Sequence, residues 1–361
     1  MKTSLKNFRE RIFNPTAEER RGASYSLALF SANIKRFLPW IPPADYERLY
    51  KEVVYYQKIS GIEQADTRYL RRSKIIDYTT LRSASGSVQE HTIFATFHLG
   101  SYRLMNCYLY ELGYKVVLII DDSVFNKQQE EMLRVCREVL HNEATSDMVI
   151  LNIKDRRSIF RLKELMRSGY VMSVYLDGNS AMVDKNQDFT KSFIPVAFLE
   201  SKIFVKNGIG KLAALLQAQI IPVVSFREQS GDNTMEFHKE IRMEDFKTRE
   251  EFSVRSIEKA YQLLEEKLIH YPEQWECWLY IHKWFMRDAS RGYVAMKKTN
   301  GLFNTERYTT FSLGNAYFLF DLIDYQSYPI EEELHKAIRN NAFDTIAPNI
   351  MEELKKKNVL L

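Results

Sequence analysis

At 361 residues the chain is long enough to bury one large core, or one core and a small appendage. A hydrophobic share of 45% and a charged share of 27% exclude wholesale disorder. A net charge of +4, from 51 basic and 47 acidic residues, gives no general electrostatic case for nucleic acid as a partner.

The opening from Met1 to Arg21 is polar and charged, without the apolar stretch of a signal peptide. No run approaches the roughly 18 apolar residues that a membrane span needs. Ser26 to Ile41 comes nearest, but Lys35 and Arg36 interrupt it and Pro39, Pro42 and Pro43 end it. Two readings stay open for it: an amphipathic helix packed on the core, or peripheral attachment at the inner face of a membrane. Tyr46 to Ile59 has helical spacing, a charged stretch runs from Asp66 to Arg82, and Ser83 to Ser87 is a loop. Residues 1–85 are thus expected to form a helical N-terminal region.

The pattern then changes to alternation. Strands are expected at His91–Phe97, Lys115–Ile120, Met148–Asn152, Tyr170–Leu176 and Ile220–Phe226. Between and after them helices are expected at Tyr102–Leu112, Lys127–Leu140, Ile159–Ser168, Gly210–Ala218 and Ser253–Ile269. The fold class this implies is α/β: a central mixed, mostly parallel sheet flanked by helices, over residues 86–290. A polar stretch from Arg291 leads to a small α/β appendage over 291–361, with strands at Tyr308–Leu313 and Ala316–Leu319 and helices at Ile330–Arg339 and Ile350–Lys357. Cys107, Cys136 and Cys277 have no metal-type spacing and read as reduced thiols of a cytoplasmic protein. The seven histidines show no ligand spacing either, so no metal is expected.

Ligands of such sheets sit at the carboxyl ends of the strands, and both His98 and Asp177 directly follow a strand. An imidazole at His98 suits proton removal from an incoming alcohol or amine, because its pKa lies near the working pH; a satisfied structural histidine is the alternative. Gly100 lets backbone approach, and amides at the start of the next helix are candidates for an oxyanion site. Asp177 reads as the orienter of His98, as an acceptor contact, or as a turn aspartate. Gly208 and Gly210 open an Ala- and Leu-rich helix with no nucleotide motif. Tyr271-Pro-Glu-Gln-Trp275, with Trp278 and Trp284 beyond it, reads as an aromatic segment packed on the sheet.

In this order the phrases resemble the bacterial lipid A biosynthesis lauroyl/myristoyl acyltransferases, within the lysophospholipid acyltransferases and their glycerolipid acyltransferase-like fold. The family's His-x-Gly-Asn-Trp-Glu is matched by His98-Leu-Gly-Ser-Tyr-Arg103 and its strand-end aspartate by Asp177. Phe198 to Val223 matches its glycine-helix block, and Tyr271 to Trp275 its His-Pro-Glu-Gln-Trp. The resemblance implies acyl transfer from an acyl carrier protein or coenzyme A thioester to a hydroxyl or amine, with His98 as general base and no further cofactor. Gly100, Ser101, Tyr102, Arg103, Gly178, Asn179 and Glu200 are the expected substrate contacts. The family's orienting acid falls at Arg103, which cannot hold the ring in the basic tautomer. Either Asp177, or next Glu200, replaces it, or the fold has lost catalysis and binds a carrier protein or peptide. The family's N-terminal membrane span is missing, which points to a soluble or carrier-borne acceptor. Lys202, Lys206 and Lys211 are candidates for an acidic carrier's docking face, and Phe97, Tyr102 and Phe198 for an acyl tunnel. Glu306 to Phe311, Tyr328 to Leu334 and Met351 to Leu361 resemble a PqqD-like winged-helix module, which implies a peptide partner; a cap on the main fold is the alternative.

Overall fold

The computed structural model describes residues 2–79, 91–120, 130, 133–134, 148–152, 155, 157–178, 192–285 and 302–361. The expected loop at Ser83–Ser87, most of the helix at Lys127–Leu140, Cys136 and Asn179 lie outside the described residues. The chain forms two compact units. A sheet unit comprises Tyr56–Phe198 and Lys202–Glu276, and a terminal unit comprises Met1–Tyr55, Leu199–Ser201 and Cys277–Leu361.

The sheet unit is built on seven strands: β1 (Lys74–Asp77), β2 (Thr92–Thr96), β3 (Lys115–Ile120), β4 (Met148–Asn152), β5 (Tyr170–Tyr175), β8 (Gln219–Arg227) and β9 (Asn233–Phe237). Their order is β1-β9-β8-β2-β5-β3-β4, with every neighbouring pair parallel except β8 and β9. The expected mixed, mostly parallel sheet is therefore present. A separate hairpin joins β6 (Phe193–Phe198) to β7 (Ser201–Lys206).

Strands covered on both faces read as continuous apolar runs, and β2 shows why. Ile93 and Ala95 face a core with Leu162 and Met166 of helix α6 (Ser158–Arg167), Ala213 and Leu216 of α7 (Gly208–Leu216) and Phe252 of α8 (Arg249–Leu268). Phe94 points the other way, to Leu104, Met105 and Leu109 of α5 (Leu104–Glu111) and Leu70 of α4 (Thr67–Arg72). Gly210 is where α7 meets α8: a Cβ there would collide with the Ser253 carbonyl oxygen. That glycine serves helix packing.

The stretch Asp66–Arg82, read only as charged, contains α4 and the edge strand β1. With two isoleucines between Lys74 and Asp77, β1 is too short to show a period of two. Strands β6, β7 and β9 lie outside the expected strands; β6 carries Pro195, and only Phe193, Val196 and Phe198 of it are buried.

In the terminal unit, α1 (Lys2–Phe13) and α2 (Ala17–Phe37) precede the first part of α3 (Tyr46–Glu63). A capping box starts α2: Thr16 Oγ1 accepts from Glu19 N–H at 3.2 Å, and Glu19 Oε2 accepts from Thr16 N–H at 2.9 Å. The apolar side of Ser26–Ile41 is turned inward, with Phe30, Ile34 and Phe37 fully buried. Among the described residues no helix is long and apolar enough to cross a membrane.

Strands β10 (Tyr308–Leu313), β11 (Ala316–Asp321) and β12 (Ser327–Ile330) form an antiparallel meander. Helices α9 (Glu332–Asn340) and α10 (Pro348–Lys356) pack on it through Leu334, Ile338 and Leu354. β10 also meets α2: Ser24 Oγ donates to the Ser312 carbonyl at 3.0 Å and accepts from its N–H at 3.1 Å. The N- and C-terminal segments thus share one unit.

Candidate active site

The register of two neighbouring strands creates the site. Thr96 of β2 stands beside Tyr175 of β5, so two residues further on His98 stands beside Asp177. Leu176 N–H still donates to the Thr96 carbonyl at 2.9 Å, and the Asp177 carboxylate then takes over as acceptor. His98 N–H donates to both carboxylate oxygens, at 3.0 and 2.9 Å. His98 Nδ1 lies 2.7 Å from Asp177 Oδ1, and the Trp275 indole N–H donates to Oδ2 at 2.7 Å. Asp177 has no exposed surface, whereas the His98 side chain keeps 16% of its own.

Charge follows from this geometry. Burial favours a neutral ring, but the Asp177 carboxylate outweighs it and raises His98 above its ordinary range. Burial likewise works to raise Asp177, and His98 with the Trp275 N–H reverses the sign, so its pKa is lowered. An ionised carboxylate only accepts. When His98 is neutral its proton therefore sits on Nδ1, and Nε2 carries the free lone pair. This is the tautomer a general base requires.

The Tyr271–Trp275 phrase holds this loop in place. Leu99 and Trp275 form an antiparallel bridge, Gly100 N–H donates to the Gln274 carbonyl at 3.3 Å, and Glu276 N–H donates to the His98 carbonyl at 3.3 Å. The Gln274 side chain pairs with Arg227 at the end of β8, accepting from its N–H at 2.7 Å and donating to its carbonyl at 2.8 Å. Gly100 has φ +56°, and a Cβ there would stand 2.7 Å from the Ser225 carbonyl oxygen and 2.8 Å from Phe226 Cα. Only glycine fits there. Its N–H is committed to Gln274 and is no donor for an oxyanion.

Around the ring stand Tyr102 and Tyr175, with centroids 4.6 and 5.3 Å from that of His98. Burial pushes the Tyr102 hydroxyl well above its ordinary pKa. On the Nε2 side Glu276 Oε1 lies 3.8 Å away, and burial raises the pKa of this carboxyl. Arg103, the residue before α5, has its guanidinium 5.6 Å from the Tyr102 ring centroid, and its charge has a small lowering effect on His98.

Residues 122–287 match the family model described as bacterial lipid A biosynthesis acyltransferase. That stretch, a little under half of the chain, is similar to the family. The matched stretch includes Asp177 and Trp275 but begins after His98. Among solved structures, the 1-acyl-sn-glycerophosphate (LPA) acyltransferase PlsC from Thermotoga maritima is similar at 13% identity. The match covers 70% of this chain and 98% of that one, with a TM-score of 0.30, too loose to transfer a site. No curated protein matches the chain.

Of the residues singled out from sequence, the structure joins His98 to Asp177, with Tyr102 against the ring. Gly178 follows Asp177 in a half-buried turn. Glu200 lies exposed at the hairpin turn and belongs to the terminal unit. Ser101 is buried in another network: its Oγ donates to Glu63 Oε2 at 2.5 Å and accepts from Arg227 Nη2 at 2.9 Å. Arg227 and Glu63 form a buried ion pair, and Asn233 Nδ2 donates to Glu63 at 2.9 Å. Phe97 and Phe198 are fully buried and pack on Tyr261, at centroid distances of 5.1 and 5.9 Å. Trp275, Gln274 and Glu276 were not assigned to the site from sequence, although Pro272-Glu-Gln-Trp275 marked their segment. Glu63 and Arg227 carried no sequence signal.

Proposed function

We propose that this acyltransferase moves an acyl group from an acyl carrier protein or coenzyme A thioester to a hydroxyl or amine acceptor, with His98 as general base. The observation that carries the reading is the 2.7 Å contact between His98 Nδ1 and the buried Asp177 carboxylate. It supplies the orienting acid that Arg103 cannot. The acceptor gives its proton to Nε2 as its oxygen or nitrogen attacks the thioester carbonyl carbon. The tetrahedral adduct then collapses, the C–S bond breaks, and the departing sulfur takes the proton back from His98. The acceptor is soluble or carrier-borne in this reading, with a peripheral membrane contact as its variant. Lys202 and Lys206, exposed on one side of β7, and exposed Lys211 on α7 form the docking face for the acidic carrier. The binding-only alternative rested on the missing acid, and the Asp177 contact removes that reason for it.

Intact-protein mass spectrometry of acyl carrier protein, with acyl coenzyme A in parallel, tests the reading. Wild type should consume thioester and the His98→Ala variant should not, with the deficit on the order of 10²-fold or more. Equal thioester loss by the two proteins would reject His98 as the base.

A further inference from the structure

The site places a carboxylate on each side of one imidazole. Asp177 holds Nδ1, and Glu276 stands 3.8 Å from Nε2, on the side from which an acceptor must approach if His98 takes its proton. Glu276 is held there by its own backbone, which donates to the His98 carbonyl. Its side chain keeps only 17% exposure, and the Gln57 side chain bonds to it. For orienting the ring Glu276 is redundant, because Asp177 and Trp275 already do so. It requires another account.

The charge of the cluster gives one. With His98 neutral and both carboxylates ionised, Asp177 and Glu276 carry two negative charges beside the single positive charge of nearby Arg103; burial, which raises Glu276, disfavours that form until a further cation sits beside it. A proton on His98 would balance it but would end its use as a base. An ammonium group beside Nε2 balances it and leaves the base free. The chemistry of acylation points the same way. An alcohol gives up one proton in the reaction, whereas an amine that arrives as ammonium gives up two: one to become nucleophilic and one after attack. Two proton acceptors beside one position match the second case.

We propose that Glu276 selects the acceptor, and that the acceptor is a primary amine which enters as its ammonium ion. This rests on the acyl-transfer reading above and narrows it. The ammonium gives one proton to Glu276 and becomes the free amine. Its nitrogen attacks the thioester carbon, and the second proton passes to His98 Nε2. The C–S bond breaks, the sulfur takes the proton from His98, and Glu276 releases its proton to solvent. The products are an amide, a thiol and one proton.

The test uses full-length protein with acyl coenzyme A and two acceptors of one shape, n-butylamine and n-butanol. Product masses give kcat/KM for each. In parallel, NMR of ¹⁵N-labelled histidine follows His98 during titration with each compound, without turnover. Wild type should favour the amine. Glu276→Gln should lower the amine-to-alcohol ratio about tenfold or more, the scale of a lost charge-assisted hydrogen bond, and Glu276→Asp should restore part of it. n-Butylammonium, and not n-butanol, should perturb the His98 ring in wild type and not in Glu276→Gln, with near-UV circular dichroism confirming that the variant is folded. An unchanged ratio, or a wild-type preference for the alcohol, overturns the proposal. An unfolded Glu276→Gln protein passes the decision to Glu276→Asp, whose ratio must then fall. Glu276-dependent perturbation without thioester consumption would reject acyl transfer and leave the amine site standing; consumption without amine selectivity would do the reverse.

Discussion

Asp177→Asn isolates the charge of the orienting group, because the two side chains have nearly the same shape. Asp177 accepts from three donors: the His98 backbone N–H, the His98 ring and the Trp275 indole. Asparagine offers one acceptor oxygen and puts an NH₂ where the second stood, so one or two donors are stranded. A buried donor left unsatisfied costs about 1–3 kcal/mol, so the variant should lose about 2–4 kcal/mol and melt several degrees lower. The larger effect is on the ring. An amide N–H facing Nδ1 favours the opposite tautomer, with the proton on Nε2, and turnover should fall on the order of 10²–10⁴-fold. The pH dependence carries a sign. kcat/KM needs neutral His98, so in wild type it rises with pH through a midpoint above the ordinary value of about 6.5, since Asp177 raises the ring. In the variant that midpoint moves down. The stability curve changes too. Asp177 is lowered in the folded state, so its contribution is present above about pH 3.9 and is lost as pH falls through the folded value. His98 is raised, so its contribution is complete below about pH 6.5 and is lost as pH rises through the folded value. Both dependences should flatten in Asp177→Asn. Stopped-time mass spectrometry across pH, with urea denaturation at the same values, measures this. A variant that keeps the wild-type rate and midpoint refutes the orienting role.

Arg103→Glu, which recreates the acid expected from the family phrase, should not raise activity. It removes the cation that lowers His98 and adds an anion, so the rate midpoint should move to higher pH and the rate near neutrality should fall; a gain there would show that Asp177 is not the working partner. Gly100→Ala should cost about 2–4 kcal/mol, from the positive φ and from a Cβ 2.7 Å from the Ser225 carbonyl. Because the displaced loop carries His98, turnover should fall with it. Urea denaturation and thioester assays check both, and wild-type stability would mean that β8 yields more easily than its fully buried pattern suggests.

What the sequence disclosed depended on how each element is buried. β2, β3 and β5 are covered on both faces and leave apolar runs with turn signals after them, so they were legible, and so were the residues just beyond their ends. β1 and the β6–β7 hairpin are short or exposed on one side, and their runs do not separate from loop. Contacts across the sheet unit were the least legible. Glu63 lies at the end of α3 and Arg227 at the end of β8, 164 residues apart, yet they bury their charges against each other. The aromatic segment after Tyr271 showed that something packs there, but a spacing of tryptophans cannot state that one indole N–H points at a carboxylate.

The departure at Arg103 left two readings open in the sequence: a substitute carboxylate, with Asp177 first, or a fold that has lost catalysis. A His-x4-acid phrase orients its histidine from within one loop, so replacing the acid looks like loss of the machinery. In this chain the register of β2 against β5 brings a second strand end to the same place. His98 and Asp177 each lie two residues past a paired position, Thr96 and Tyr175. The orienting carboxylate is thereby fixed by main-chain pairing, and the Trp275 indole locks its remaining oxygen. With that contact made between strands, no carboxylate is needed at the position after Tyr102 to hold Nδ1. An arginine there is compatible with a working base because its effect on His98 is opposed by Asp177 and Glu276 together. Arg103 and Glu276 both bear on the charge around the His98 ring, Arg103 lowering its pKa and Glu276 raising it, while the contact at Nδ1 is made by Asp177.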